Sequence, residues 1–300
     1  MNAIAAIVVT YNRKILLREN IKALCNQSYE ELDILIIDNA STDGTYEYIK
    51  DLLNDSRVKY FNTGANLGGA GGFSYGIKLA TEKGYSYCWI MDDDTIAEKN
   101  ALKELMVASA KIGTFSFLCS MVNWIDGNPC IMNKVNFTSD IYEYAPLLEY
   151  GIISVKSCSF VSCFINTDYV KKLGLPIRQF FIYGDDSEFT YRLSNCAPAF
   201  LVTKSRVTHK MKDNKIVGMV YQEDDRLDRE FYAYRNLVYV KHNRLRKSYF
   251  RICGFYMKLI LDIIRFSPNS KLKKSLIVLK ALIRGISFKP DIEYPEEHYE

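Results

Sequence analysis

In the first two thirds of the chain, apolar residues fall in short blocks whose period alternates between two and about four. Residues 3–9 are a run rich in β-branched side chains and read as a buried strand, and 14–27 follow with helical spacing. A second strand is expected over 33–37, and Ser41 or Asp43 can cap a helix running to about residue 53. The same alternation predicts strands at 57–61 and 85–91, with helices from the glycine-rich stretch at 66–72 to about residue 83 and over 98–111. Strand and helix taking turns in this way predicts an α/β fold with a largely parallel, doubly wound sheet. Later blocks predict strands at 114–121, 157–165 and 198–203, and short helices at 168–173 and from Asp185 to about residue 194. Residues 124–150 show no period and read as irregular. From about residue 225 the pattern becomes helical, aromatic and basic.

Ligands of such sheets bind beyond the carboxyl ends of the strands. Thr10-Tyr11-Asn12-Arg13, Asp38 and the triplet Asp92-Asp93-Asp94 all stand at such ends, so they should share one crevice. Side chains alternate along a strand, which points Asp92 and Asp94 one way and Asp93 the other. Three adjacent carboxylates repel unless a positive charge sits among them, and a divalent cation such as Mg²⁺ or Mn²⁺ suits hard oxygen ligands. The simpler alternative is an acidic loop after an edge strand. Asp185-Asp186-x-Glu188 opens a helix, where acidic residues also favour the helix dipole, but a carboxylate there can serve as a general base. His209 follows a strand and is a candidate Mn²⁺ ligand if the fold brings it to the triplet. The glycines of 64–76 either let backbone amides approach a diphosphate or allow a helix to pack closely on the sheet. No GxGxxG or GK[ST] is present, so neither a dinucleotide fingerprint nor a P-loop is read here.

Composition narrows the field further. Thirty-nine basic against 35 acidic side chains leave a net charge of +4, too little to point to nucleic acid. Eight cysteines form no CxxC pair and several lie in apolar runs, as expected of reduced core thiols. The start of the chain lacks the pattern of a signal peptide, and no uninterrupted apolar run has the length of a membrane span.

Taken together, Val8-Val9-Thr10-Tyr11-Asn12-Arg13, Asp38-Asn39-Ala40-Ser41-Thr42-Asp43-Gly44, the triplet at 92–94 and Asp185-Asp186 resemble family 2 glycosyltransferases of the GT-A fold. Asn66-Leu67-Gly68-Gly69-Ala70-Gly71-Gly72-Phe73 and Phe181-Ile182-Tyr183-Gly184-Asp185-Asp186-Ser187-Glu188-Phe189 are similar, more narrowly, to mycobacterial galactofuranosyltransferases, over roughly 4–210. The resemblance implies that Thr10, Asn12, Arg13 and Asp38 hold uridine diphosphate, with Asn66 and Gly69 along the donor and Asp93 at its ribose or sugar. It implies Asp92, Asp94 and His209 as ligands of Mn²⁺ or Mg²⁺, and Asp186, with Asp185 as the lesser candidate, as catalytic base. The implied activity is inverting, metal-dependent transfer of galactofuranose from its UDP donor to a bacterial surface glycan, with a lipid-linked acceptor. A dTDP-rhamnose donor, a nucleotidyltransferase and a non-catalytic sugar-nucleotide-binding protein are the rivals. One departure stands out: where the mycobacterial enzymes carry a tryptophan pair, this chain has Phe160-Val161-Ser162-Cys163-Phe164.

On this reading 1–220 is a catalytic domain, with a nucleotide-binding half to about 97 and an acceptor-binding half beyond it, and 221–300 is a separate helical region. There, Ile252, Phe255, Tyr256, Leu259, Ile260, Ile263 and Ile264 recur at helical spacing between basic residues that include Arg244, Arg246, Lys247, Arg251, Lys271, Lys273 and Lys274. Such a segment is expected to lie on an anionic membrane surface, and the activity implied by the resemblance, with its lipid-linked acceptor, puts the protein peripherally on the inner face of the bacterial plasma membrane. The alternative is a helical subdomain that buries this face internally.

Overall fold

The computed structural model describes residues 3–139 and 142–296. The chain begins β1 (Ile4–Thr10), α1 (Lys14–Cys25), β2 (Leu32–Asp38), α2 (Thr45–Ile49), β3 (Val58–Asn62), α3 (Gly68–Glu82) and β4 (Tyr87–Asp92). It continues through β5 (Thr95–Ala97), α4 (Ala101–Ile112), β6 (Phe117–Trp124), β7 (Asn136–Phe137), β8 (Ile152–Ser157), β9 (Cys163–Asn166), α5 (Thr167–Leu173), α6 (Asp185–Ser194) and β10 (Ala199–His209). Three helices close it: α7 (Leu227–Tyr239), α8 (Tyr249–Phe266) and α9 (Lys271–Ile286).

The strands form one mixed sheet in the order β3-β2-β1-β4-β9-β6-β10-β8-β7, with β5 pairing β10. Strands β3, β2, β1 and β4 run parallel, as do β6 and β10, while β9 and β8 enter antiparallel. Helices cover both faces, which is why β1 is buried along its whole length. Its Ile4, Ala6 and Val8 join one core, with α1 and α4, and its Ala5, Ile7 and Val9 join the other, with α3 and α6.

Two elements differ from their sequence pattern. The run at 157–165 is not one strand: β8 ends at Ser157 beside β10, and the chain crosses through Ser162, at φ +73°, to place β9 between β4 and β6. The strand expected over 198–203 instead continues to His209. Polar Thr203-Lys204-Ser205 hides that continuation, because it forms a bulge in the β6 pairing. There Ser205 turns inward to donate to the Ala101 carbonyl at 2.9 Å.

The glycines from Gly68 onward lie within α3 itself. A side chain at Gly72 would meet Val9 Cγ1 at 2.6 Å, and one at Gly76 would meet Ile7 Cγ2 at 2.5 Å. These glycines therefore set how closely α3 lies on β1 and β2. Gly69, by contrast, has open space where a Cβ would go. Gly76→Ala should destabilise the fold by about 1–3 kcal/mol despite alanine's better helix propensity. Gly69→Ala should be neutral, or stabilising by less than about 1 kcal/mol. Chemical denaturation of the two variants checks both signs, and a Gly76→Ala protein as stable as the parent would refute the packing account.

The C-terminal helices build their own core from Met219, Leu227, Val238, Ile252, Tyr256, Ile263, Val278 and Leu282. Among the described residues no helix is long and apolar enough to cross a membrane. All eight cysteines are free thiols, and Cys88, Cys119, Cys130, Cys158 and Cys163 are buried.

Candidate active site

The sheet register brings the candidate residues to one end. Thr10 stands opposite Asp38, and Val9 opposite Asp92. At Asp92 the β4 strand stops, the chain turns through Asp93 and Asp94, and β5 then runs antiparallel to the end of β10, with Thr95 opposite His209. The turn is pinned from both sides: Asn20 of α1 donates to the Thr95 carbonyl at 2.6 Å, and the Lys210 amide donates to the Asp94 carbonyl at 2.8 Å. His209 Nε2 consequently lies 2.9 Å from Asp94 Oδ1.

Positive charge meets the triplet, as three adjacent carboxylates require, but strand alternation does not apply because β4 ends at Asp92 and Asp93 and Asp94 lie in the turn. Arg13 reaches Asp94 at 2.5 Å and Asp93 at 3.4 Å, and the Thr10 hydroxyl donates to Asp93 at 2.7 Å. Asp93 is thus held by Thr10 of β1, while the ligand atoms of Asp92, Asp94 and His209 all lie within 4.8 Å of one another. Burial and the neighbouring Asp94 charge push Asp92 up to about 6, and burial pushes Asp93 up to about 7 in spite of Arg13. Burial would raise Asp94 too, but His209 and Arg13 hold it below the ordinary carboxylate range. For His209 burial acts downward, and Asp94 outweighs it, pushing the imidazole up to about 10.

This donor set fits a hard divalent cation. Asp94 Oδ1 is buried and accepts no well-directed hydrogen bond even though His209 stands beside it, the arrangement of two ligands aimed at a common point. His209 Nδ1 is 2.8 Å from Asn133 Oδ1, which fixes the ring and leaves Nε2 to face the carboxylates. Asn133 could not be found from sequence, because it lies in the aperiodic segment and acts only through His209.

Around this centre the structure places the other expected residues. Both oxygens of buried Asp38 are engaged, one by the Ser41 amide at 2.8 Å and the other by the Tyr60 hydroxyl at 2.5 Å. Asn12, at φ +55°, accepts from the Thr42 amide at 2.7 Å and so ties the loop after β1 to the loop after β2. Neither Ser41 nor Asp43 is the N-cap of α2, which is Gly44 at φ +82°; Asp43 accepts from the Thr45 amide at 3.1 Å in the turn before the helix, and the Ser41 hydroxyl accepts from the Asn12 amide. Asn66 accepts from the Gly68 amide at 2.9 Å and starts α3, leaving Gly69 on the open side of that first turn. The hydroxyl of Thr10 is held by Asp93, so this residue supports the triplet and does not itself face open space.

Asp185 and Asp186 open α6 directly after Gly184, which is left-handed at φ +81°. Asp185 is buried, and Asp186 is partly exposed, accepting from the Ser187 amide at 2.6 Å. Burial raises both carboxyls, and the Asp186 charge is felt at Asp92, so the start of α6 lies near the triplet. Glu188 is excluded as a base: it is fully buried between Arg192, at 3.1 Å, and Arg244. The stretch at 160–164 does not replace the missing tryptophans with an exposed aromatic surface. Phe160 is buried edge-on against Phe73 and Phe189, and Phe164 is stacked on Tyr87 in the opposite core.

The model of glycosyl transferase family 2 matches residues 5–166, more than half of the chain and the whole span from β1 through β9. The chain belongs to glycosyl transferase family 2. A galactofuranosyltransferase, GlfT1, of Mycolicibacterium smegmatis is 23% identical over 252 residues, 79% of this chain and 82% of that one. The GalNAc(5)-diNAcBac-PP-undecaprenol beta-1,3-glucosyltransferase of Campylobacter jejuni is 25% identical over 304 residues, 96% of this chain and 90% of that one. Among solved structures, GalNAc-T7 with UDP, GalNAc and Mn²⁺ superposes with a TM-score of 0.62 at 15% identity, over 80% of this chain and 47% of that one. The glycosyltransferase therefore has the GT-A fold, and its Asp92, Asp94 and His209 form a group able to hold a metal ion.

The shifted groups would make cation binding at this group depend on pH. A ligating imidazole must be neutral, whereas burial beside Asp94 pushes His209 up to about 10, so binding at neutral pH would expel its proton. Below about 6, protonation of Asp92 would lower the affinity further. Calorimetric Mn²⁺ titrations at pH 7 in buffers of different ionisation enthalpy should show release of about one proton, lost in His209→Ala. Binding without proton release in the parent protein would remove His209 from the ligand set.

Proposed function

We propose that this glycosyltransferase moves galactofuranose from UDP-galactofuranose, with inversion, to a lipid-linked bacterial surface glycan. One observation supports the reading: Asp92, Asp94 and His209 gather their ligand atoms within 4.8 Å of one another, and Asp186 at the start of α6 is near enough for its charge to be felt at Asp92. A donor and an acceptor both need a place there. The choice of sugar rests on the motifs at 66–73 and 181–189 and on the likeness to GlfT1. Residues 1–97 would serve the donor and 98–220 the acceptor. The Campylobacter relative spans more of both chains, which favours a second reading, transfer of another UDP-hexose such as glucose.

Asp92, Asp94 and His209 would hold Mn²⁺ or Mg²⁺, which supplies counter-charge to the departing diphosphate. Arg13 adds a second positive charge on the same side, since its guanidinium is half exposed beyond its carboxylate contacts. Asn12, Asp38, Asn66 and Gly69 would line the nucleotide, Asp38 through a carboxylate oriented by Tyr60. Asp186 would take the acceptor hydroxyl's proton as charge develops on the sugar ring. Attack opposite the leaving group gives inversion. A raised Asp186 carboxyl must ionise to act, so the acid limb of the rate profile should lie above the ordinary carboxylate range.

A panel of sugar nucleotides assayed for metal-dependent UDP or dTDP release tests the donor: UDP-galactofuranose should turn over fastest, and a preference for UDP-glucose or dTDP-rhamnose would replace that assignment. With the preferred donor, Asp186→Asn should cut turnover by at least about 10²-fold while donor protection against melting persists. Lost donor protection with intact turnover would move Asp186 to the donor side.

On the same reading the enzyme docks on an anionic membrane surface, through a face that keeps Phe255 and Ile264 of the row the sequence suggests and loses its buried members. Ile252, Tyr256 and Ile263 are buried in the C-terminal core with Leu259 and Ile260 packed against it, and Lys274 is fully buried, donating to Asn269, Ser267 and the Val220 carbonyl. Exposed apolar residues include Phe250, Phe255, Met257, Leu261, Ile264 and Phe266 on α8 and Leu272, Leu276, Leu279, Ile283 and Ile286 on α9, the last five at three- and four-residue spacing. Lys258, Arg265, Lys271, Lys273, Lys280 and Arg284 flank these rows, and each basic side chain near an anionic leaflet adds about 1 kcal/mol. In vesicle flotation the protein should rise with anionic liposomes at low salt, less so after Leu261→Asp with Leu276→Asp. Retention in the soluble fraction, or flotation untouched by those changes, would reject this surface.

A further inference from the structure

The segment 180–184, which delivers Asp185 and Asp186 to the crevice, is backbone under strain. Phe181, Tyr183 and Gly184 have φ of +65°, +66° and +81°. Two non-glycine residues in that region cost about 1–3 kcal/mol each and persist only where the surroundings impose them.

The surroundings are two. On one side α3 supplies them: the Ala70 amide donates to the Phe181 carbonyl at 3.1 Å, and a Cβ at Gly68 would lie 2.1 Å from that same oxygen. On the other side is α7. The side-chain nitrogen of Asn236, fully buried, lies 3.0 Å from the Phe180 carbonyl, 3.1 Å from that of Ile182 and 2.8 Å from that of Tyr183, its two N–H groups shared among the three. Arg235 orients it, donating to Asn236 Oδ1 at 2.8 Å and to the Gln179 carbonyl at 2.7 Å. Every carbonyl from 179 to 183 is thereby engaged, four of the five by two adjacent residues of one helix.

We propose that Asn236 is a positioning residue for catalysis: it holds the strained segment that aims Asp186, and so makes the C-terminal helices part of the active site. This rests on the reading of Asp186 as the base. Asn236 is suited to the task because a carboxamide offers two N–H donors to a concave group of carbonyls and an acceptor to Arg235, which no apolar or acidic side chain of its size does. The bracing extends to the last helix. Gly285 of α9 has no room for a Cβ, which would lie 2.6 Å from Val238 Cβ and 2.9 Å from the Arg235 carbonyl, so α9 lies directly on the stretch of α7 that carries the clamp. Arg244, just beyond α7, makes a second tie, pairing with buried Glu188 of α6.

Hydrogen exchange over 178–190 and Mn²⁺-dependent UDP release from UDP-galactofuranose, with water as acceptor, test this on four variants. Asn236→Ala and Asn236→Asp should speed exchange across 180–187 and lower kcat on the order of 10²-fold, the cost of misplacing a catalytic group by about an ångström. KM for the donor and Mn²⁺ affinity should not change. Lys274→Met, a buried change in the same helical region with no contact to 180–184, should lower Tm while kcat and exchange at 180–187 stay at parental values. Unchanged exchange in both Asn236 variants, or a kcat loss in Lys274→Met equal to theirs at matched Tm, would overturn the proposal. Asp186→Asn separates the two ideas: it should lose kcat without altered exchange, and if it turns over normally while Asn236→Ala still loosens the segment and loses kcat, the base assignment falls and the clamp stands.

Discussion

The site depends on crowded negative charge. Three carboxylates at the end of β4 are stable only because the chain around them is arranged to answer them: Arg13 from the first loop, the Thr10 hydroxyl from the neighbouring strand, and His209 from the last strand of the sheet. Each partner comes from a different part of the sequence, and the sheet order β1-β4-β9-β6-β10, with β5 folded back on β10, is what lets them meet. The response is uneven, and the unevenness sorts the roles. Asp94, with two cationic neighbours, stays ionised, whereas Asp92 and Asp93 are pushed toward neutrality by burial. A cation placed among Asp92, Asp94 and His209 would complete the neutralisation that the protein alone leaves unfinished.

The start of α6 is organised by geometry instead of charge. Asp186 needs no ion pair, because its position comes from a strained turn gripped between α3 and α7. The glycines of α3 belong to this picture as much as to the donor side, since Gly72 and Gly76 bring the helix onto β1 and Gly68 admits the Phe181 carbonyl. The C-terminal helices therefore face two ways, with an apolar, basic outer surface and an inner edge in contact with the catalytic segment.

Much of this was legible in the sequence. The apolar blocks gave the strand–helix alternation, and strand ends gave Asp38 and the triplet, because a doubly wound sheet has a fixed relation between strand polarity and site. What escaped has identifiable causes. The extension of β10 to His209 was masked by a bulge whose inward residue, Ser205, is polar. Asn133, Tyr60 and Asn236 act through other residues across 76, 22 and 53–56 positions, and neither period nor motif marks such contacts. On α8 the helical spacing was correct and the face only in part, since Phe255 and Ile264 are exposed while Ile252, Tyr256 and Ile263 are buried: a helix apolar on two sides shows one period, and only packing decides which side is buried.

The central claim is that one cation site, built from the β4 turn and the end of β10, faces Asp186. Crystals grown with Mn²⁺ and UDP, and recorded near the manganese absorption edge, test it most directly. The account predicts a single strong anomalous peak bonded to Asp92, Asp94 and His209 Nε2, at about 2.0–2.3 Å, with the diphosphate on its open side and Asp186 across the crevice. A peak elsewhere, or a bound UDP with no metal among these three residues, would contradict it.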